Sequence, residues 1–320
     1  MSWLGIAGAL AFFGSSAATV TETEIVAAAD EAATEIIMLE DERYRRMTVP
    51  VMINGQGPFD FMIDTGAQAT VMSHALADML QLNDRETATL VGMASSREVQ
   101  TTMVPRLSYG SSERYDALAA LVESSNIGGA DGILGLDSLQ DRRVLLDFQN
   151  LIMEVADSSG SRQNRGFDIV VRARRIGEQL IIARARIDGV RTAVIIDTGA
   201  QGSIGNDALF ERLRRKQGSV ETEMTDINGV QANGITRVAR TLELDRANLS
   251  NFHIAFAESP LFAALDLDEE PAMILGMNEL RLFERVAIDF ASRRVLFDLP
   301  EGSRLPPIRS FGVSGRFSDR

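Results

Sequence analysis

From residue 48 to 63 the chain alternates apolar and polar positions, "TVPVMINGQGPFDFMI", and then stops on Asp64. A period of two marks a strand with one face in a core. Asn54-Gly55 in its middle marks a tight hairpin turn, because both central turn positions need positive φ. The design returns at 180–197, "LIIARARIDGVRTAVIID", with Asp188-Gly189 as the turn and Asp197 as the stop.

Each unit also closes alike, the first with "DGILGLDSLQDRRVLLDFQNLIMEV" and the second with "PAMILGMNELRLFERVAIDFASRRVLFDL". Both predict an Ile-Leu-Gly strand end, a short amphipathic helix, a strand ending at Asp147-Phe148 or Asp289-Phe290, a tight turn and a last strand. Matching parts in matching order are a duplication. The expected fold is mostly β, with two homologous lobes, 45–156 and 175–300, related by a pseudo-twofold axis. The polar, glycine-rich "DSSGSRQNRG" opens a linker over 157–174. Residues 21–44 are acidic and Ala-rich, with Ile25, Ala28, Ala32, Ile36 and Leu39 on one helical face; they read as a helix packed on the body or as a pro-segment. The Gly/Ser/Pro/Arg-rich stretch 301–320 reads as a disordered tail.

Composition narrows the chemistry. Of 320 residues 45% are hydrophobic and 24% charged, enough for a real core, and the net charge of −13 argues against a nucleic-acid partner. With no cysteine, disulfides, thiol nucleophiles and cysteine-bound metals are excluded. Two histidines, His74 and His253, do not supply a zinc site or a Ser-His-Asp relay. No metal and no cofactor is expected, and catalysis falls to carboxylates. The apolar run Trp3–Phe13 is shorter than the ~20 residues of a bilayer span. It suits a signal peptide over 1–20 and an exported or periplasmic protein, although no Lys or Arg precedes it. A membrane-associated or cytoplasmic N-terminus is the alternative.

The duplicated six letters are Ile-Asp-Thr-Gly-Ala-Gln, at 63–68 and 196–201. Twin lobes packed about a pseudo-twofold axis bring equivalent residues face to face, as in a homodimer. If Asp64 and Asp197 meet there, two negative charges ~3 Å apart repel by roughly 5 kcal/mol at an effective dielectric of 20. They therefore share one proton, which puts a base and an acid in one site. Thr65 and Thr198 are placed to hydrogen-bond across the axis. Gly66 and Gly199 permit close backbone approach, and Ala67 and Ala200 leave the cleft uncrowded.

Two Asp-Thr-Gly-Ala loops, each with a later Ile-Leu-Gly triplet, resemble the aspartic proteases, and the Ala and short lobes resemble the retropepsin branch. The like-charge pair of that family is itself the known case of such proton sharing. The resemblance spans about 45–300 and implies that Asp64 and Asp197 are the catalytic pair, with Thr65 and Thr198 as the grip beneath them. It implies the triplets at Gly135 and Gly276 pack behind the loops. It also implies flaps 25–35 residues after each Asp. The candidates are "LVGMASSREV" (90–99), with Gly92 and Met93, and "DINGVQANGI" (226–235), with Gly229 and Val230. Retroviral enzymes carry one such loop per chain and dimerise. This chain carries two, so a monomer with its site formed within one chain is expected, acting as an endopeptidase on extended polypeptide.

Two other readings compete. A non-catalytic twin-lobed peptide binder would use the same cleft for strand addition. An actin-like or sugar-kinase-like phosphotransferase also duplicates a strand–Asp–x–Gly loop, but calls for several long amphipathic helices per lobe.

Overall fold

The computed structural model describes residues 6–7, 12–14, 48–110, 112–158, 166–176, 179–213, 219–245 and 247–300. Strands β1 (Ile6–Ala7) and β2 (Phe12–Gly14) attach to the outer edges of two lobe sheets. The first lobe comprises β3 (Thr48–Ile53), β4 (Gln56–Ile63), β5 (Val71–Ser73), β6 (Glu86–Val91), β7 (Ser96–Tyr109), β8 (Ser112–Val122) and β9 (Gly132–Leu134). The order β7-β3-β4-β9-β5-β8 closes on itself through β7–β8, while β6 and then β1 extend beyond β7.

The second lobe repeats this plan. After the interlobe strands β10 to β12 come β13 (Arg174–Ile176), β14 (Gln179–Ile187), β15 (Val190–Ile196), β16 (Ser203–Gly205), β17 (Val220–Thr225), β18 (Gln231–Leu244), β19 (Ala247–Phe256) and β20 (Ala272–Leu275). The order β14-β15-β20-β16-β19-β18 closes through β14–β18, and β17 and then β2 extend beyond β18. The two hairpin turns have the positive φ the sequence demanded: +52° and +79° at Asn54 and Gly55, +47° and +82° at Asp188 and Gly189.

A third sheet joins the lobes. It contains β10 (Arg142–Asp147), β11 (Ile152–Asp157), β12 (Ile169–Arg172), β21 (Arg285–Asp289) and β22 (Arg294–Asp298), in the order β11-β10-β21-β22-β12. β10 and β21 are repeat equivalents and pair antiparallel with Leu145 opposite Ala287. Each of these two positions thus faces its own counterpart, which puts the pseudo-twofold axis through this pair. Apolar packing is continuous from Val51, Phe61 and Leu107, through Leu146 and Ile288, to Ile187, Leu242 and Phe297. A shared core of this kind holds the lobes at one separation.

The linker read over 157–174 is shorter than its composition implied. Residues 169–172 form β12 against β22, with Ile169 and Val171 buried and Val170 and Arg172 exposed. A four-residue alternation next to a polar run is too short to stand out. The segments 21–44 and 301–320 lie outside the described residues. No helix among the described residues is long and apolar enough to cross a membrane.

Candidate active site

Asp64 and Asp197 end β4 and β15, the inner strands of the two barrels. Each strand is pinned by the Ile-Leu-Gly strand beside it. β4 runs parallel to β9 with Ile63 opposite Leu134, and β15 runs parallel to β20 with Ile196 opposite Leu275. The Asp64 N–H donates to the Leu134 carbonyl and the Asp197 N–H to that of Leu275, both at 3.1 Å. Beyond the triplets, Leu136 N–H donates to Ala67 O at 2.7 Å and Met277 N–H to Ala200 O at 2.8 Å. Each catalytic-type loop therefore rests on the turn behind it.

The two loops grip one another. Thr65 Oγ1 donates to Ile196 O (2.8 Å) and accepts from Thr198 N–H (3.2 Å); Thr198 Oγ1 donates to Ile63 O (2.6 Å) and accepts from Thr65 N–H (3.1 Å). Four bonds across the axis leave these buried hydroxyls satisfied and fix the loop spacing. Gln179 adds a bond from the second lobe, its Nε2 donating to Gly66 O at 2.7 Å.

Above the grip both carboxyl groups are wholly buried, and they are close enough for each to act on the other's ionisation. Oδ1 of Asp64 accepts from Gly66 and Ala67 N–H at 2.7 and 2.9 Å. Oδ1 of Asp197 accepts from Gly199 and Ala200 N–H at 2.8 and 3.1 Å. Oδ2 of each accepts from no donor among the described residues. Burial pushes Asp64 up to about 6, opposed by its bonds to Asp197 and to the backbone. Burial, then the Asp64 charge, holds Asp197 well above the usual carboxylate range. A pair raised on both sides keeps a proton far above the pH at which a free aspartate loses it.

The candidate flaps are the hairpins β6–β7 and β17–β18, and Gly92, Met93, Gly229 and Val230 lie at their tips. The tips meet. Asp226 Oδ2 accepts from Ser95 Oγ (2.6 Å) and Ala94 N–H (3.2 Å), while Asn228 Nδ2 donates to Ser95 Oγ (2.9 Å) and Arg97 Nη1 to Asn228 O (3.1 Å). The tips also exchange side chains. Met93 packs among Ile181, Ile195 and Ala200 of the second lobe, and Ile227 among Met62, Ala67 and Ile127 of the first. Sequence reasoning did not single out Ser95, Asp226, Ile227 or Asn228, because a bond between hairpins 131 positions apart has no local signature. A cavity of about 420 Å³ lined by Asp188, Arg237 and Phe256 touches neither aspartate.

Behind each loop lies a further polar pair that the repeat could have revealed, since Thr70 and Ser203 both stand six positions after the aspartate. Thr70 Oγ1 donates to Asp137 Oδ1 at 2.9 Å, and Ser203 Oγ pairs with Glu279 Oε2 at 2.5 Å. Burial holds Glu279 up to about 7, from 4.5, partly offset by Ser203. The unfolded chain ionises first, so Glu279 destabilises the fold progressively as pH rises from about 4.5 to about 7, by roughly 3 kcal/mol in total. Glu279→Gln is expected to leave stability unchanged below pH 4.5 and to raise it above pH 7, read from urea midpoints at the two ends.

Two barrels that present facing, buried aspartates at equivalent strand ends, gripped by reciprocal threonines, define the bilobal acid-protease class. Residues 49–141 match the family model described as "gag-polyprotein putative aspartyl protease", and residues 183–278 match the model described as "Aspartyl protease". The chain belongs to the retropepsin-like aspartic proteases and carries both lobes in one polypeptide. Among solved structures, a retropepsin-like aspartic protease from Rickettsia conorii is 15% identical, over 40% of this chain and 88% of that one, with a TM-score of 0.29. A search of curated proteins gave no match.

Proposed function

We propose that the protein is an endopeptidase that hydrolyses peptide bonds in extended polypeptide with a water activated by Asp64 and Asp197. The observation that carries this reading is the pair of neighbouring, wholly buried carboxyls, each with Oδ1 saturated by two backbone N–H groups and Oδ2 without a donor among the described residues. The ionised member takes a proton from water as the oxygen attacks the carbonyl carbon. The protonated member gives its proton to the carbonyl oxygen. Collapse of the resulting gem-diol breaks the C–N bond as the amide nitrogen is protonated. No covalent intermediate forms.

Digestion of an unstructured peptide library across pH tests this. With Asp64 held at about 6, the one-proton state is reached only near neutrality, so kcat/KM is expected to rise with a midpoint near pH 6. An acid limb below pH 4 would mean that burial does not raise Asp64 in the active enzyme. Statine-type peptides, whose hydroxyl imitates the gem-diol, are expected to inhibit competitively. Peptide binding with no cleavage at any pH supports the binder instead.

A further inference from the structure

The two lobes share a plan, yet at one place they differ in charge. Each carries a short helix of the same length, His74–Met79 in the first and Asp207–Arg212 in the second. Each also carries a long strand that meets its own hairpin turn, the Asn54 N–H donating to Arg106 O and the Asp188 N–H to Thr241 O. By these anchors Ala77, Met79, Thr102 and Pro105 correspond to Phe210, Arg212, Arg237 and Arg240. Arginines thus stand at three places where the first lobe has uncharged residues. In the first lobe this place is closed: Ala77 and Thr102 are buried, and Arg85 Nη1 donates to Thr102 Oγ1 at 3.2 Å. In the second lobe Arg212, Arg237 and Arg240 line the cavity of about 420 Å³ beside Asp188. Arg237 is held in place there. Its guanidinium lies over the Phe210 ring, 3.6 Å from the centroid, and Phe210 meets Phe256 edge-on with centroids 5.2 Å apart. A guanidinium whose face is stacked keeps its N–H edge for a planar anion. The Nε–H of Arg237 is buried and has no acceptor among the described residues, and a buried donor of this kind calls for a partner. Neither Arg212 nor Arg237 forms a salt bridge with a described residue. Asp188 is already engaged, accepting from the Arg240 and Thr241 N–H groups at 2.9 Å each. Much of the remaining wall is apolar, with Val190, Leu213, Ile254 and Phe256.

We propose that this cavity binds a small organic carboxylate with an apolar body, its anionic group on Arg237 and Arg212 and its carbon skeleton against Leu213, Ile254 and Phe256. The volume of about 420 Å³ lies within the roughly 300–1,000 Å³ of small-molecule sites. Paired N–H groups of a guanidinium match the two oxygens of a carboxylate. An inorganic anion leaves the apolar wall unfilled, and a neutral ligand leaves the arginines unanswered. The net charge of −13 repels anions at long range, so the attraction must be local, as three arginines around one cavity provide. The cavity touches neither aspartate, so binding here is independent of the endopeptidase reading. Two sources carry the required group: the C-terminus of a peptide ending in an apolar residue, and a free aliphatic or aromatic acid.

Calorimetric titration of the full chain with N-acetyl-alanyl-leucine and with hydrocinnamic acid tests the two sources, with the carboxamide of each and inorganic phosphate as controls. At least one acid is expected to bind, and its carboxamide and phosphate to bind at least about tenfold more weakly. Arg237→Gln is expected to weaken binding of that acid at least about tenfold, and Arg212→Gln about threefold or more. Arg212 is exposed, so its variant carries the test if Arg237→Gln fails to fold. Tighter binding of the dipeptide identifies a peptide C-terminus and tighter binding of hydrocinnamate a free acid; either upholds the site. The proposal is overturned if neither acid binds at millimolar concentration, if an acid and its carboxamide bind equally, if phosphate binds as tightly as the acids, or if affinity is unchanged in every variant that folds.

Discussion

Replacing Asp64 with Asn is expected to reduce kcat for peptide hydrolysis by at least about 10³, and Asp197→Asn to do the same. An amide can keep the two backbone bonds that Oδ1 accepts from Gly66 and Ala67, so the loop geometry survives. It cannot take a proton from water or carry one to a carbonyl. In the proposed mechanism the two carboxyls divide the work, so neither substitution is expected to be rescued by the other residue. The same change has the opposite effect on stability. Asp64 titrates at 3.8 when free and at about 6 when buried beside Asp197. Between those values the unfolded chain releases its proton and the folded chain does not, so stability falls as pH rises through the window and remains lower above it. Asn escapes that cost, which is on the order of 2–3 kcal/mol above pH 6 and absent below 3.8. Single-turnover assays and urea unfolding at pH 3.5 and 7.5 check both halves. Retained hydrolysis in either variant ends the shared-proton mechanism.

Gly199→Ala is expected to lower kcat/KM by about 10² or more and stability by about 1–3 kcal/mol. A Cβ at this position would stand 2.3 Å from Oδ2 and 2.4 Å from Cγ of Asp64. The carboxyl cannot swing away without giving up the bonds at 2.7 and 2.9 Å that hold its other oxygen. Either the loops part, stretching the threonine grip, or the pair twists out of contact. The reverse clash, 2.2 Å from Asp197 Oδ2 to a Cβ on Gly66, gives the same expectation for Gly66→Ala. Loss of activity with gained stability in Asp64→Asn, and with lost stability in Gly199→Ala, separates a missing proton from a displaced one. Wild-type rates in Gly199→Ala mean that the aspartates are further apart than the structure has them.

Much of this protein was written in its amino-acid order. The alternation around Asn54-Gly55 and Asp188-Gly189 determined two hairpins, because period-two burial and positive φ are local requirements that a few residues state in full. Repetition of Ile-Asp-Thr-Gly-Ala-Gln and of Ile-Leu-Gly determined two like lobes, and with them the expectation that equivalent aspartates face each other. Other features needed the folded chain. The joining sheet of β10 and β21 follows from which strand edges remain unpaired after each barrel closes, and no residue spells that out. The latch of Asp226 on Ser95 joins residues 131 positions apart, and the exchange of Met93 and Ile227 joins the two lobes through residues whose types are ordinary on any surface hairpin. The N-terminal apolar run reads the same whether it heads for a membrane or for a flap. Apolar residues announce that they need burial, but the partner that buries them is set by three-dimensional edges and clefts, and these exist only after the chain has closed on itself.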